Sequence, residues 1–176
     1  MPVIVIGGSG RNVGKTSLVC GVISALPEFR WIAVKITSHE HGMAEPVWEE
    51  RDAGQGTDTA RYLAAGAQRA FLVTTEDAEL PIRIAELQAK IGPDAHLIFE
   101  SNRIVEWMQP DVCLAAQGAD EGEVKPSWAR FAQRADATVV RGDCDATTAG
   151  EKPLFRMVDL AQVSAPMRQW LRERLI

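Results

Sequence analysis

A three-layer α/β fold, a mostly parallel sheet of about six to seven strands with helices on both faces, is predicted by three observations. Short β-branched apolar runs alternate with helical-period stripes along the chain. Glycine, proline or an N-capping residue bounds nearly every stripe. No run approaches the ~20 apolar residues of a membrane span, and nothing repeats at a fixed period.

Taken in order, residues 3–6 form a β-branched apolar run that stops at Gly7-Gly8, as a buried strand does. Behind Gly14-Lys15-Thr16, the residues Leu18, Val22 and Leu26 recur at helical spacing until Pro27 ends the pattern. Residues 31–35 read as a second strand, and residues 36–55 as a polar loop longer than most connections in a compact domain. Thr57 then serves as an N-cap, with Asp58 in the first turn and Gly66 as the stop. Residues 70–73 give strand three. The stripe Leu80, Ile84, Leu87 and Ile91 lies between Pro81 and Gly92-Pro93 and predicts a helix. Strands follow at 96–100, 112–116 and 137–140, the last behind a helix bearing Trp128, Phe131, Ala132 and Ala135. Residues 154–157 add an edge strand. A final helix behind Ser164-Ala165-Pro166 carries Val163, Met167, Trp170, Leu171 and Leu175 on one face.

Lysine and arginine number 19 against 24 aspartates and glutamates, a net charge of −5. No global positive field therefore recruits nucleic acid or an anionic membrane, and any phosphate site must be local. With 46% hydrophobic and 24% charged residues, the chain has globular composition, and its 176 residues predict a single domain over 1–176. Cys20, Cys113 and Cys144 are odd in number and sit in or beside apolar runs, which suits reduced thiols and a cytoplasmic setting. The first residues offer neither a basic leader nor a signal-length apolar stretch, in keeping with that setting.

The segment Gly8-Ser9-Gly10-Arg11-Asn12-Val13-Gly14-Lys15-Thr16 lies between a buried strand and a helix start, the context of a phosphate-binding (Walker A) loop. Backbone N–H groups of such a turn converge with the positive end of a helix dipole on the β-phosphate. Lys15 is placed to reach the β/γ oxygens and the Thr16 hydroxyl to ligate Mg²⁺, with Ser17 completing the nucleotide-binding segment. Ser9 stands at the usual first glycine position, one residue after Gly8. The loop is therefore either one residue longer than the common form or carries a tolerated serine. Gly-Lys-Thr alone does not say whether a γ-phosphate is hydrolysed, transferred or held.

Glu100 ends an apolar run, where α/β sheets place a Mg²⁺-bridging or water-orienting acid. Asp58, at a helix start, is a second Mg²⁺ ligand or a charge favourable to the dipole. Lys35, at the end of strand two, is a cation for the γ-phosphate or an acidic second substrate, or a surface lysine. His39 and His41 flank Glu40 without a third ligand at zinc spacing, so they read as a grip on a phosphorylated partner molecule rather than a metal site. Asn102, two residues beyond Glu100, joins these second-substrate candidates. Arg11, inside the loop, acts on transition-state charge in cis or across a dimer, or is solvated. No Asn-Lys-x-Asp guanine signature is present; Arg141-Gly142-Asp143-Cys144-Asp145 stands in its place, with a carboxylate able to accept from guanine.

Together these segments resemble a known family. The loop from Gly8 to Thr16 is similar to that of dethiobiotin synthetase, in the P-loop class that includes the nitrogenase iron protein and the MinD ATPases. The run Val34-Lys35-Ile36-Thr37-Ser38-His39-Glu40-His41, then Gly56-Thr57-Asp58-Thr59-Ala60-Arg61 and Ala65-Gly66-Ala67, resembles the MobB-type molybdopterin-guanine dinucleotide biosynthesis proteins. In that family a histidine-rich loop follows the lysine and a Gly-Lys-Asp-Ser/Thr helix start follows the loop; here Thr57 replaces that lysine and alternate histidines remain. The likeness covers roughly residues 3 to 102 by motif and the rest by order of elements. It implies a P-loop NTPase fold and a homodimeric adaptor that binds GTP and Mg²⁺ and hydrolyses the nucleotide slowly. It also implies a molybdopterin-type ligand and a partner cofactor-biosynthesis enzyme. The alternative is an ATP-dependent small-molecule ligase or kinase similar to dethiobiotin synthetase, and a third reading is a regulatory subunit with a degenerate loop.

Overall fold

The first apolar run becomes β1 (Val3–Gly8), near the centre of an eight-stranded sheet. The computed structural model describes residues 2–39, 42–118, 126–142 and 151–176. After β1 come α1 (Lys15–Ala25), β2 (Ile32–Thr37), β3 (Val47–Glu50), α2 (Asp58–Ala64), β4 (Arg69–Thr74) and α3 (Leu80–Ile91). The second half supplies β5 (Leu97–Glu100), β6 (Val112–Gln117), α4 (Pro126–Arg134), β7 (Ala137–Arg141), β8 (Leu154–Met157) and α5 (Ala165–Leu175). The strand order is β3-β4-β2-β5-β1-β6-β7-β8, and among the described strands β3 alone runs antiparallel, against β4.

Local chemistry sets the helix ends as the sequence predicts. The Thr57 hydroxyl accepts from the Ala60 N–H at 3.1 Å and starts α2. Ser164 does the same for the Met167 N–H at 3.4 Å at the head of α5. Gly92, at φ 81, closes α3.

Side-chain alternation along the strands builds a core on each face of the sheet. Ile4 and Ile6 of β1, Leu114 of β6 and Val139 of β7 pack with Leu18 and Val22 of α1, Tyr62 of α2, and Met167 and Leu171 of α5. Val5, Val34, Phe71 and Phe99 meet Leu80 and Leu87 of α3 and Phe131 of α4 on the other face. Helices thus cover both faces of a mostly parallel sheet, the three-layer arrangement the alternation predicts. Ala33 and Ile98 face the α1 side, so Lys35 and Glu100, two residues further along their strands, face the same side.

The stretch 36–55 is not wholly loop. Residues 47–50 form β3, paired Val47 to Val73 and Glu50 to Ala70. An edge strand with one neighbour needs few apolar residues. Here Val47 alone is a buried apolar residue. Glu49 is satisfied by Arg69 at 2.6 Å and the buried Glu50 by the Thr57 hydroxyl at 2.9 Å, so the strand carries polar residues that mimic a loop.

Cys20 and Cys113 are free, and burial pushes the Cys113 thiol up to about 12; Cys144 lies outside the described residues. Among the described residues no helix is long and apolar enough to cross a membrane.

Leu87 is 1% exposed at the centre of the α3 contact. Leu87→Ala leaves a cavity there and is expected to lower the unfolding free energy by about 2–5 kcal/mol, read from urea denaturation.

Candidate functional site

β1 delivers the chain to a six-residue turn, 9–14, before α1 begins. The Ser9 N–H donates to the Ala116 carbonyl at 3.2 Å, prolonging the β1–β6 ladder. Among described non-glycine residues only Asn12 and Arg30 have positive φ, so a serine at position 9 meets no backbone strain. Position 14 is different. Gly14 has φ 92, and a Cβ there would come within 2.2 Å of Leu160 Cδ1. Lys15 Nζ donates to the Gly10 carbonyl at 2.6 Å, folding the side chain back over the turn. The buried Val13 pins the turn inward, and a Cβ on Gly118 would lie 3.3 Å from it. The first turn of α1 holds no acidic residue, so its dipole and its outward N–H groups are left for an anion.

Glu100 sits beside this turn because β5 pairs with β1, Ile6 opposite Glu100, and with β2, Lys35 opposite Glu100. It is 6% exposed, and its partners account for a buried charge. Oε2 accepts from the Thr16 hydroxyl at 2.8 Å and from the Tyr62 hydroxyl. Oε1 lies 3.4 Å from Lys35 Nζ, which also donates to Asp58. Arg61 approaches Asp58 at 3.7 Å and donates to Ser17 Oγ at 3.1 Å. Five sequence-predicted residues, Thr16, Ser17, Lys35, Asp58 and Glu100, are thereby brought together.

The charges reinforce one another. Burial would lower the Lys35 pKa, but the nearby Glu100 and Asp58 carboxylates hold it above its ordinary 10.5. Burial would raise that of Asp58, yet the Lys35 ammonium keeps it below 3.8. Tyr62 is pushed well up by burial and by Glu100, so it stays a neutral donor. For Mg²⁺, the donor set is a hydroxyl and two carboxylates, Thr16, Asp58 and Glu100. These hard oxygens fit an ion that takes one or two carboxylates and completes its shell with phosphate and water. Among the described residues no cluster of three or more His, Cys, Asp or Glu is placed for a metal.

The other candidates are placed differently. Arg11 is exposed, its Nη2 2.8 Å from His39 Nε2, so the loop arginine and the first histidine meet over the turn. His41 lies outside the described residues. Asn102 binds the loop's base: its Oδ1 accepts from the Gly8 N–H at 2.8 Å and its Nδ2 donates to the Gly8 carbonyl at 3.0 Å. Both ends of its amide are thus engaged by Gly8, and Nδ2 lies 3.5 Å from Ser127 Oγ as well. Arg141 ends β7, two strands from β1 on the side opposite Lys35; Asp143, Cys144 and Asp145 lie outside the described residues.

Two participants escape the sequence reading. Tyr62, the one tyrosine of the chain, falls four residues after Asp58 and so shares its helix face, a spacing that signals the pairing once Asp58 is singled out. Glu50 accepts from the Thr57 and Thr59 hydroxyls at 2.9 and 3.2 Å and from the Arg51 and Asp52 N–H groups at 3.0 and 3.1 Å, fixing the approach to α2. Beside Lys35 and Asp58 opens a cavity of about 460 Å³, walled on its apolar side by Met43, Trp48 and Leu72.

Two outcomes test this geometry. Gly14→Ala is expected to cost more than about 1 kcal/mol in urea unfolding, since it adds both a contact with Leu160 and an unfavourable φ. In Mg²⁺-free buffer, the coupling of Lys35→Met with Asp58→Asn should be full between pH 3.8 and 10.5. It should fade as pH falls through the lowered Asp58 value and as pH rises through the raised Lys35 value, followed by a double-mutant cycle across pH.

No protein-family model and no curated protein matches the sequence. Solved structures do match. LpxK from Aquifex aeolicus, "apo" form in complex with ATP, aligns with a TM-score of 0.59 at 18% identity over 89% of this chain and 53% of its own, so this chain spans about half of that protein. A MobB homologue from Bacillus stearothermophilus aligns at 0.51 with 16% identity, over 98% of this chain and 97% of its own. Bacillus subtilis MobB aligns at 0.52 with 13% identity, over 100% and 99%. At such identities the likeness is one of fold, and MobB proteins, the family the motifs resemble, are among the structures that share it. The chain has the P-loop NTPase fold.

Proposed function

We propose that the chain binds a nucleoside triphosphate with Mg²⁺ at residues 8–17 and works as a GTP-binding adaptor of the MobB type. The observation that carries the nucleotide reading is the bond from Thr16 to the buried Glu100, which joins the first turn of α1 to a strand-end carboxylate. On this reading the loop N–H groups hold the β-phosphate and Lys15 leaves Gly10 for the β/γ oxygens. Thr16 and Glu100, with Asp58 beside them, would hold the ion, which would supply charge neutralisation for the triphosphate. The buried Tyr62 and the half-buried Lys35 keep Glu100 oriented. Arg11 and His39, in contact above the turn, are where the triphosphate's exposed edge or a phosphorylated molybdopterin-type ligand would be gripped. Slow hydrolysis, a homodimer, a partner cofactor-biosynthesis enzyme, a cytoplasmic location and one domain over 1–176 belong to the same reading.

A second reading is favoured by the cavity against Lys35 and Asp58. In it the protein is an ATP-dependent enzyme similar to dethiobiotin synthetase, and the cavity admits the second substrate.

The test is a thermal-shift series with GTP and ATP, with and without Mg²⁺, because a ligand at 100 times its Kd stabilises the native state by about 2.7 kcal/mol. A Mg²⁺-dependent shift that Lys15→Ala abolishes is expected. Preference for GTP supports the adaptor, whereas ATP turnover that appears only with a metabolite supports the enzyme. No shift with either triphosphate overturns nucleotide binding.

A further inference from the structure

The cavity beside the phosphate loop has a chemistry of its own. Its volume, about 460 Å³, falls in the range of small-molecule sites. Lys35 and Asp58 form the end nearest the loop, so a molecule seated there lies against the charged pair that reaches Glu100. Trp48, Leu72 and Met43 supply its apolar lining, and because Leu72 pairs in register with both Lys35 and Trp48, those three side chains lie in a row across β2, β4 and β3 on one face of the sheet. The lining is acidic: Glu50, Asp52 and Asp58 stand against two cations, Lys35 and Arg51, while Glu49, which alternates with Trp48 along β3, directs its carboxylate to Arg69 on the other face of the sheet.

These charges are not equally available. The four hydrogen bonds to Glu50 come from its own neighbourhood, which makes it a fixed wall of the cavity. Glu49 is paired with Arg69 at 2.6 Å, and Lys35 is engaged by Asp58 and Glu100. Asp52, exposed, holds only Gln55 and the Gly54 N–H, at 2.7 and 2.8 Å. An anion entering the cavity would meet the carboxylates of Glu50, Asp52 and Asp58, with a bound triphosphate beyond Lys35, and find its main cation already paired. Trp48 offers a planar group an aromatic partner, and a positive charge would gain from the indole and from the lining carboxylates.

We propose that this cavity is a binding site for a planar aromatic or heteroaromatic small molecule that is uncharged or cationic and carries a hydroxyl or amino donor directed at Asp58. The proposal rests on the nucleotide reading only in placing a bound triphosphate beyond Lys35; the residues that line the cavity stand without it. It also separates the cavity from the Arg11–His39 contact, where an anionic ligand would be gripped.

Three indoles of equal ring shape test it: tryptamine, cationic; tryptophol, neutral; and indole-3-acetate, anionic. Binding to the full chain is followed by the NMR shift of the Trp48 indole N–H, assigned through Trp48→Phe, with nucleotide binding measured separately by calorimetry. Tryptamine and tryptophol are expected to shift that resonance and to bind at least about tenfold more tightly than indole-3-acetate, a difference of about 1.4 kcal/mol. Asp52→Asn, on an exposed turn outside the phosphate loop, should weaken tryptamine and leave tryptophol unchanged. Equal or tighter binding of indole-3-acetate, binding that leaves the Trp48 resonance in place, or no binding by any of the three overturns the proposal. Probe binding without nucleotide binding refutes the nucleotide reading alone; nucleotide binding without probe binding refutes the cavity alone.

Discussion

The buried Glu100 carboxylate is the constraint on which the site depends. Removing a charge from water costs several kcal/mol unless each lone pair finds a partner. Here the partners come from three elements, Thr16 from α1, Tyr62 from α2 and Lys35 from β2. Each element is therefore held to β5 by the same group. Taking away one partner leaves a buried charge short of compensation, which is harsher than losing one surface hydrogen bond. The phosphate-loop helix, the helix that starts at Asp58 and the central strands are located relative to one another through a single side chain.

What the sequence made legible was local. Thr57 and Ser164 cap helices through bonds spanning three residues, and the Leu80 to Ile91 stripe is one helix face. The loop from Gly8 to Thr16 is contiguous, and the carboxylate at the end of an apolar strand follows from where α/β sheets bind ligands. Strand β3 was hidden because its polar residues are satisfied by Arg69 and the threonines of the α2 approach rather than by water. The Tyr62–Glu100 bond spans 38 positions and the Asn102–Gly8 pair 94. Such contacts depend on which strands become neighbours, a fact that no local pattern carries.

The strand order also gives the site two sides. Lys35 lies two residues before the end of β2 and Arg141 ends β7, each two strands from β1 and on opposite flanks of the phosphate loop. Polar residues 49–58 line the first flank, so the long segment that looked like a loop supplies both an edge strand and a cavity wall. Polarity there serves two purposes, since Glu50, which helps to disguise the strand, also lines the cavity.

The paired contact of Asn102 with Gly8 has a mechanical meaning. The ladder between β5 and β1 ends at Glu100, and beyond it a side-chain amide makes the two bonds that the next peptide of a strand would make. The end of β1 is thus fastened on that flank by a rotatable side chain instead of by backbone. Both backbone polar groups of Gly8 on that flank therefore depend on one side chain, so the base of the phosphate loop is set by the identity of residue 102 as much as by the sheet.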